Sequence, residues 1–167
     1  MVLLVGLGAG CEASSVVEPP ESVCGTKVDR NLTKRLLEPG GRVTERNEVG
    51  HDDPQPSSWC QVFVDGNGVL SLRFAWHPDA VDPFGIAASS GSISSIGQPV
   101  RLKAAYATTV GNNGAISTAR CESGSGSYFT LSVLLERSDP VDRSHRNDIE
   151  KFMRAYFPAT LRTLGCA

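Results

Sequence analysis

Residues 59–76 read WCQVFVDGNGVLSLRFAW, and the fold turns on how they are read. Successive side chains of a strand point to opposite faces, so a half-buried strand alternates apolar and polar residues. Leu70, Leu72, Phe74 and Trp76 share one face, with Ser71 and Arg73 on the other. Ahead of them, Cys60, Val62 and Val64 share a face, and Trp59, Gln61 and Phe63 share the opposite one. Between the two runs lies Asp65-Gly66-Asn67-Gly68, residue types that tolerate the positive φ angles of a tight hairpin turn. The stretch is therefore predicted to be an antiparallel hairpin. Its first strand carries apolar residues on both faces, which predicts cover on both sides.

The same patterning extends outward. Residues 77–99 form a long irregular stretch, read either as holding a short helix near Ala80 to Ala88 or as a mobile flap, and loops of this length often carry function. VRLKAAYATT (100–109) and GAISTARC (114–121) read as a second strand pair joined by Gly111-Asn112-Asn113-Gly114. YFTLSVLLER (128–137) alternates again, with Phe129, Leu131, Val133 and Leu135 opposed to Thr130 and Ser132. A final helix follows Asp139-Pro140, with Asp142 or Ser144 as its N-cap. Its stripe is Ile149, Phe152, Met153 and Tyr156 at helical spacing, and Pro158 is expected to bend or end it. Upstream, RVTERNEV (42–49) reads as a short exposed strand. Val28 to Leu37 reads as a helix started by Thr26 or Asp29 and stopped by Pro39-Gly40-Gly41. Helix, three strands, long loop, three strands, helix is an α+β order. The expectation is a twisted antiparallel sheet of five to six strands, with an N-terminal and a C-terminal helix packed on one face.

The chain begins MVLLVGLGAGC, a short apolar run ending in small residues before Cys11. It has the size of a signal h-region, roughly 7–15 residues, and only about half the ~20 needed to span a bilayer. A dinucleotide-binding turn would need a helix directly after the glycines, but Glu12 to Val23 carries Pro19 and Pro20 and no βαβ alternation follows. The segment is read as the end of an export leader whose basic start lies upstream of Met1, with Cys11 as lipid acceptor. This divides the chain into a leader at 1–11, a tether at 12–23 and one domain at 24–167.

Behind an export signal, the other four cysteines, Cys24, Cys60, Cys121 and Cys166, predict two disulfides. Cys24–Cys60 with Cys121–Cys166 ties helix ends to strands; Cys60–Cys121 between neighbouring strands is the rival pairing. None of the four forms a CxxC pair, so no metal site is expected. The net charge is −2 with no basic stripe, which argues against a nucleic-acid partner. No cofactor motif is present.

Of the three histidines, His51 lies in an acidic loop, His77 ends a strand, and His145 opens the last helix. No GxSxG elbow accompanies the many serines. Trp59, Trp76 and His77 form the candidate binding surface. The competing reading buries Trp59 and Phe63 together beneath a helix or loop.

Gly8-Ala9-Gly10-Cys11, VCGTKVDRNLTKRLL (Val23 to Leu37), FMRAYFPATLRTLGC (Phe152 to Cys166) and the spaced cysteines together resemble small secreted or lipid-anchored proteins of high-GC actinobacteria such as streptomycetes. The resemblance implies an extracytoplasmic, membrane-anchored or secreted location and transfers no active site. The expected function is a non-enzymatic binding module, held to the membrane through Cys11 and meeting a ligand or envelope protein. An extracytoplasmic hydrolase using loop Ser and His residues, and a purely structural envelope protein, are the alternatives.

Overall fold

The computed structural model describes residues 18–37, 41–50, 55–89 and 96–166. The leader, the lipidation position Cys11, and His51 lie outside them. In chain order the elements are β1 (Ser22–Val23), β2 (Thr26–Lys27), α1 (Arg30–Leu36), β3 (Val43–Asn47), β4 (Ser57–Val64), β5 (Asn67–His77), α2 (Pro83–Ala88), β6 (Val100–Leu102), β7 (Ala107–Val110), β8 (Gly114–Ser123), β9 (Gly126–Leu135) and α3 (Arg146–Thr163). β1 and β2 form a small sheet of their own, so the last two residues of the expected tether belong to folded structure. The main sheet runs β3-β4-β5-β9-β8-β7-β6, antiparallel throughout. The chain is α+β, with seven strands in this sheet rather than five or six.

The β4–β5 hairpin closes through Asp65 and Gly66 at φ 49° and 78°, the two left-handed residues that match strand twist in a two-residue turn. Cys60 pairs with Leu72, and a bulge between Val62 and Phe63 adjusts the register toward the turn. The additional strand arises within residues 100–109, which double back as β6 and β7, with Arg101 opposite Thr109. Residues 103–106 contain no Gly, Pro, Asn or Asp. Contacts from α3 hold the reversal instead: Arg154 donates to the Lys103 carbonyl at 3.1 Å, and the Tyr106 ring stands edge-on to Phe157 at 5.2 Å.

The main core lies between one sheet face and helices α1 and α3. Leu70, Leu72, Phe74, Phe129 and Leu131 meet Ile149, Phe152, Tyr156, Phe157 and Leu161, all essentially inaccessible to solvent. Tyr156 donates its hydroxyl to the Val23 carbonyl at 2.7 Å, pinning β1 to the helix. α3 does not end at Pro158 but continues through it to Thr163. An interior proline costs ~3 kcal/mol, but Phe157, Thr160 and Leu161 are buried on either side of it, and that burial carries the helix on. The N-cap is His145, without a side-chain bond. The expected cap Asp142 instead accepts from the Ser144 amide and hydroxyl in the preceding turn.

Among the described residues the opposite face is covered at one end only. There α2 and Ile96 form a smaller core with Ile116 and Leu134, so Thr130, Ser132 and Leu134 of β9 are buried as well as their core-facing neighbours. This side is locked by two asparagines. Asn112 is fully buried; its amide donates to the Pro140 carbonyl at 2.8 Å, and its Oδ1 accepts from Arg146 Nε at 3.0 Å. Asn113 accepts the Gly97 amide at 2.8 Å. Cys24 bonds Cys60 and Cys121 bonds Cys166, with Cα separations of 5.9 and 4.9 Å, within the ordinary disulfide range.

Candidate functional site

The part of the outer face left open by the described residues, over β4, β5 and the end of β3, carries the candidate site. Period-two geometry sends Ser57, Trp59 and Gln61 of β4 and Ser71 and Arg73 of β5 outward, because Cys60, Val62, Leu70 and Leu72 point into the core. Trp59 sits across from Arg73 and is 63% exposed, the one exposed large aromatic among the described residues. The expected burial of the Trp59–Phe63 pair is therefore wrong for Trp59: α2 docks over β7 and β8 and leaves the β4 end open.

Two recesses flank the Trp59 ring, of about 390 and 400 Å³. Trp59, Ser71 and Glu136 border both, so the two are lobes of one groove. Ser132 and Ile96 floor one lobe, and Arg46 and Glu48 wall the other. Internal bonds fix the polar groups. Glu136 accepts from Gln61 Nε2 at 3.1 Å and from the Ser71 hydroxyl, and Arg73 Nε donates to the Ser57 hydroxyl at 3.0 Å. Gly68 leaves room for this arrangement, since a Cβ there would stand 3.0 Å from Gln61 Nε2 and 3.1 Å from Glu136 Oε2.

The other two members of the expected surface do not join Trp59. Trp76 differs from it in strand parity, points into the core at 5% exposure, and packs its ring 4.8 Å from Phe129. His77 shares the outer face but ends β5 opposite Tyr128, four residues or roughly 13 Å along the strand from Arg73. Partial burial, and then the Arg73 charge, hold its pKa below the ordinary histidine value. Sequence reasoning missed Gln61, Ser71, Arg73 and Glu136 as site residues; the outward parity of the first three was the available signal.

The described part of the long loop after β5 forms a clamp. Asp82 caps α2 through the Phe84 amide at 3.1 Å and pairs with Arg101, which lies 4.6 Å over the Phe84 ring. The Arg101 guanidinium holds the Asp82 carboxyl down at about 2. Among the described residues neither His77 nor His145 shares a side-chain hydrogen bond with a serine or a carboxylate; the Ser144 hydroxyl donates to Asp142 instead. Cys24, Glu45 and Cys60 lie close together, but the two sulfurs are bonded to each other and Glu45 accepts the Cys24 amide at 3.0 Å. Burial raises the Glu45 pKa, partly offset by that bond.

Comparison with protein-family models, curated proteins and solved structures finds no significant match. Two disulfides suit an oxidising, extracytoplasmic compartment. Among the described residues no helix is long and apolar enough to cross a membrane.

Proposed function

We propose that this protein is an exported, non-enzymatic binding module of the cell envelope, tethered through a lipid at Cys11, with the outer face of β4 and β5 as its ligand surface. The observation that carries the reading is Trp59, 63% exposed at mid-strand between two recesses. Tryptophan and arginine dominate binding hot spots, and lobes near 400 Å³ fall within the range of small-ligand sites. The hydrogen bonds among Gln61, Ser71 and Glu136 preorganise the polar rim, so little side-chain entropy remains to be lost on binding.

The test is co-sedimentation of purified protein with isolated envelopes of the source organism, comparing wild type with Trp59→Ala, both carrying Cys11→Ser so that no lipid anchor drives sedimentation. The ring is exposed, so its removal opens no cavity and the variant should keep wild-type stability. Envelope binding by wild type that Trp59→Ala loses supports the reading. Equal sedimentation of both proteins, or none by either, removes it.

A further inference from the structure

We infer that the groove takes a neutral, hydroxyl-rich saccharide chain of the envelope, laid across β4 and β5 with one sugar ring stacked on Trp59. This rests on the binding-module reading above and specifies its ligand.

Among the described residues the charges of the groove cancel. Arg46 and Arg73 face Glu48 and Glu136, so an anion entering the site meets the two carboxylates and a cation meets the two guanidiniums. An apolar ligand would strip water from Ser57, Ser71, Gln61 and Glu136 and return no hydrogen bonds. A peptide cannot be read by strand addition. β4 and β5 are interior strands whose backbone groups are committed to the sheet ladder.

A neutral polyol meets none of these objections. Each sugar hydroxyl both donates and accepts, matching a rim of hydroxyls, an amide, a carboxylate and a guanidinium. Glu136, held by Gln61 and Ser71, is placed to accept from neighbouring hydroxyls. The electron-rich face of the indole attracts the C–H groups on the apolar face of a pyranose ring. Two lobes joined across Trp59 describe an elongated ligand rather than a single ring.

The experiment uses the Cys11→Ser protein and isolated envelopes in four portions: untreated, oxidised with periodate to cleave vicinal diols, digested with protease, and untreated in high salt. Binding is expected to fall at least about tenfold after periodate and to survive protease. It is expected to change less than about twofold between 50 and 500 mM salt, because no net charge is exchanged. Trp59→Phe, which keeps an aromatic face, should retain binding within about threefold, whereas Trp59→Ala loses it. Loss after protease but not periodate, or loss in high salt, overturns the saccharide assignment and leaves the binding module standing. No sedimentation with any portion overturns both.

Discussion

Asn112→Ala tests the polar lock between the outer-face loops. The side chain is fully buried at the β7–β8 turn and makes two hydrogen bonds to distant segments, to the Pro140 carbonyl and from Arg146 Nε. Alanine removes both. The neutral bond contributes about 1 kcal/mol. The bond to the Arg146 guanidinium belongs at the low end of the charged range, ~1.5 kcal/mol, because Arg146 is only part-buried and water can replace its partner. Adding the small void left by a truncated amide gives a predicted loss near 3 kcal/mol. Urea unfolding followed by near-ultraviolet circular dichroism measures it, provided the m-value is unchanged. A double-mutant cycle with Arg146→Ala should return a coupling of about 1 kcal/mol, since the two side chains share one bond. A loss below ~1 kcal/mol together with additive single effects would refute the claim that this contact holds residues 96–98 and 140–146 on the sheet.

Replacing Cys24 and Cys60, or Cys121 and Cys166, by alanine pairs is expected to cost about 4 kcal/mol each in chain entropy, for separations of 36 and 45 residues. Peptide mapping without reductant should recover only these two pairings. Gly97→Ala would bring a Cβ within 1.9 Å of the Pro140 carbonyl oxygen, and a thermal melt should show destabilisation by more than ~2 kcal/mol. His77 has a depressed pKa in the folded state, so its contribution is present above the unfolded value of ~6.5 and is lost as the pH falls below it. His77→Gln should flatten the stability–pH curve in that window, and an unchanged slope counts against the burial described for this ring.

Much of the fold is legible in the chain because local and global signals agree. The 59–76 hairpin is written in the alternation of Leu70, Leu72, Phe74 and Trp76 and in Asp65-Gly66, and the stripe of α3 in Ile149, Phe152, Met153 and Tyr156. Where reading failed, distant residues decided the outcome. The β6–β7 reversal depends on Arg154 and Tyr106 meeting across the fold, not on any turn residue. Pro158 reads as a bend or an end, yet the helix continues through it, since the buried side chains around it outweigh the lost hydrogen bond. The candidate site was half legible. Parity puts Trp59 outward with Gln61, but its exposure depends on where α2 docks, which no local pattern encodes. Parity also separates Trp59 from Trp76, so grouping them overlooked a signal that was present.

The sheet is two local meanders, β3-β4-β5 and β9-β8-β7-β6, joined along a single seam where Leu70 meets Leu135 and His77 meets Tyr128. Neither meander closes a core alone, because α3 must lie across residues from both. Folding therefore waits on a contact between segments far apart in the chain, a slow, high-contact-order step. For a polypeptide threaded unfolded through an export channel, one route to the proposed location, that delay is useful. The first half cannot lock into a compact shape before the second half has arrived on the same side of the membrane.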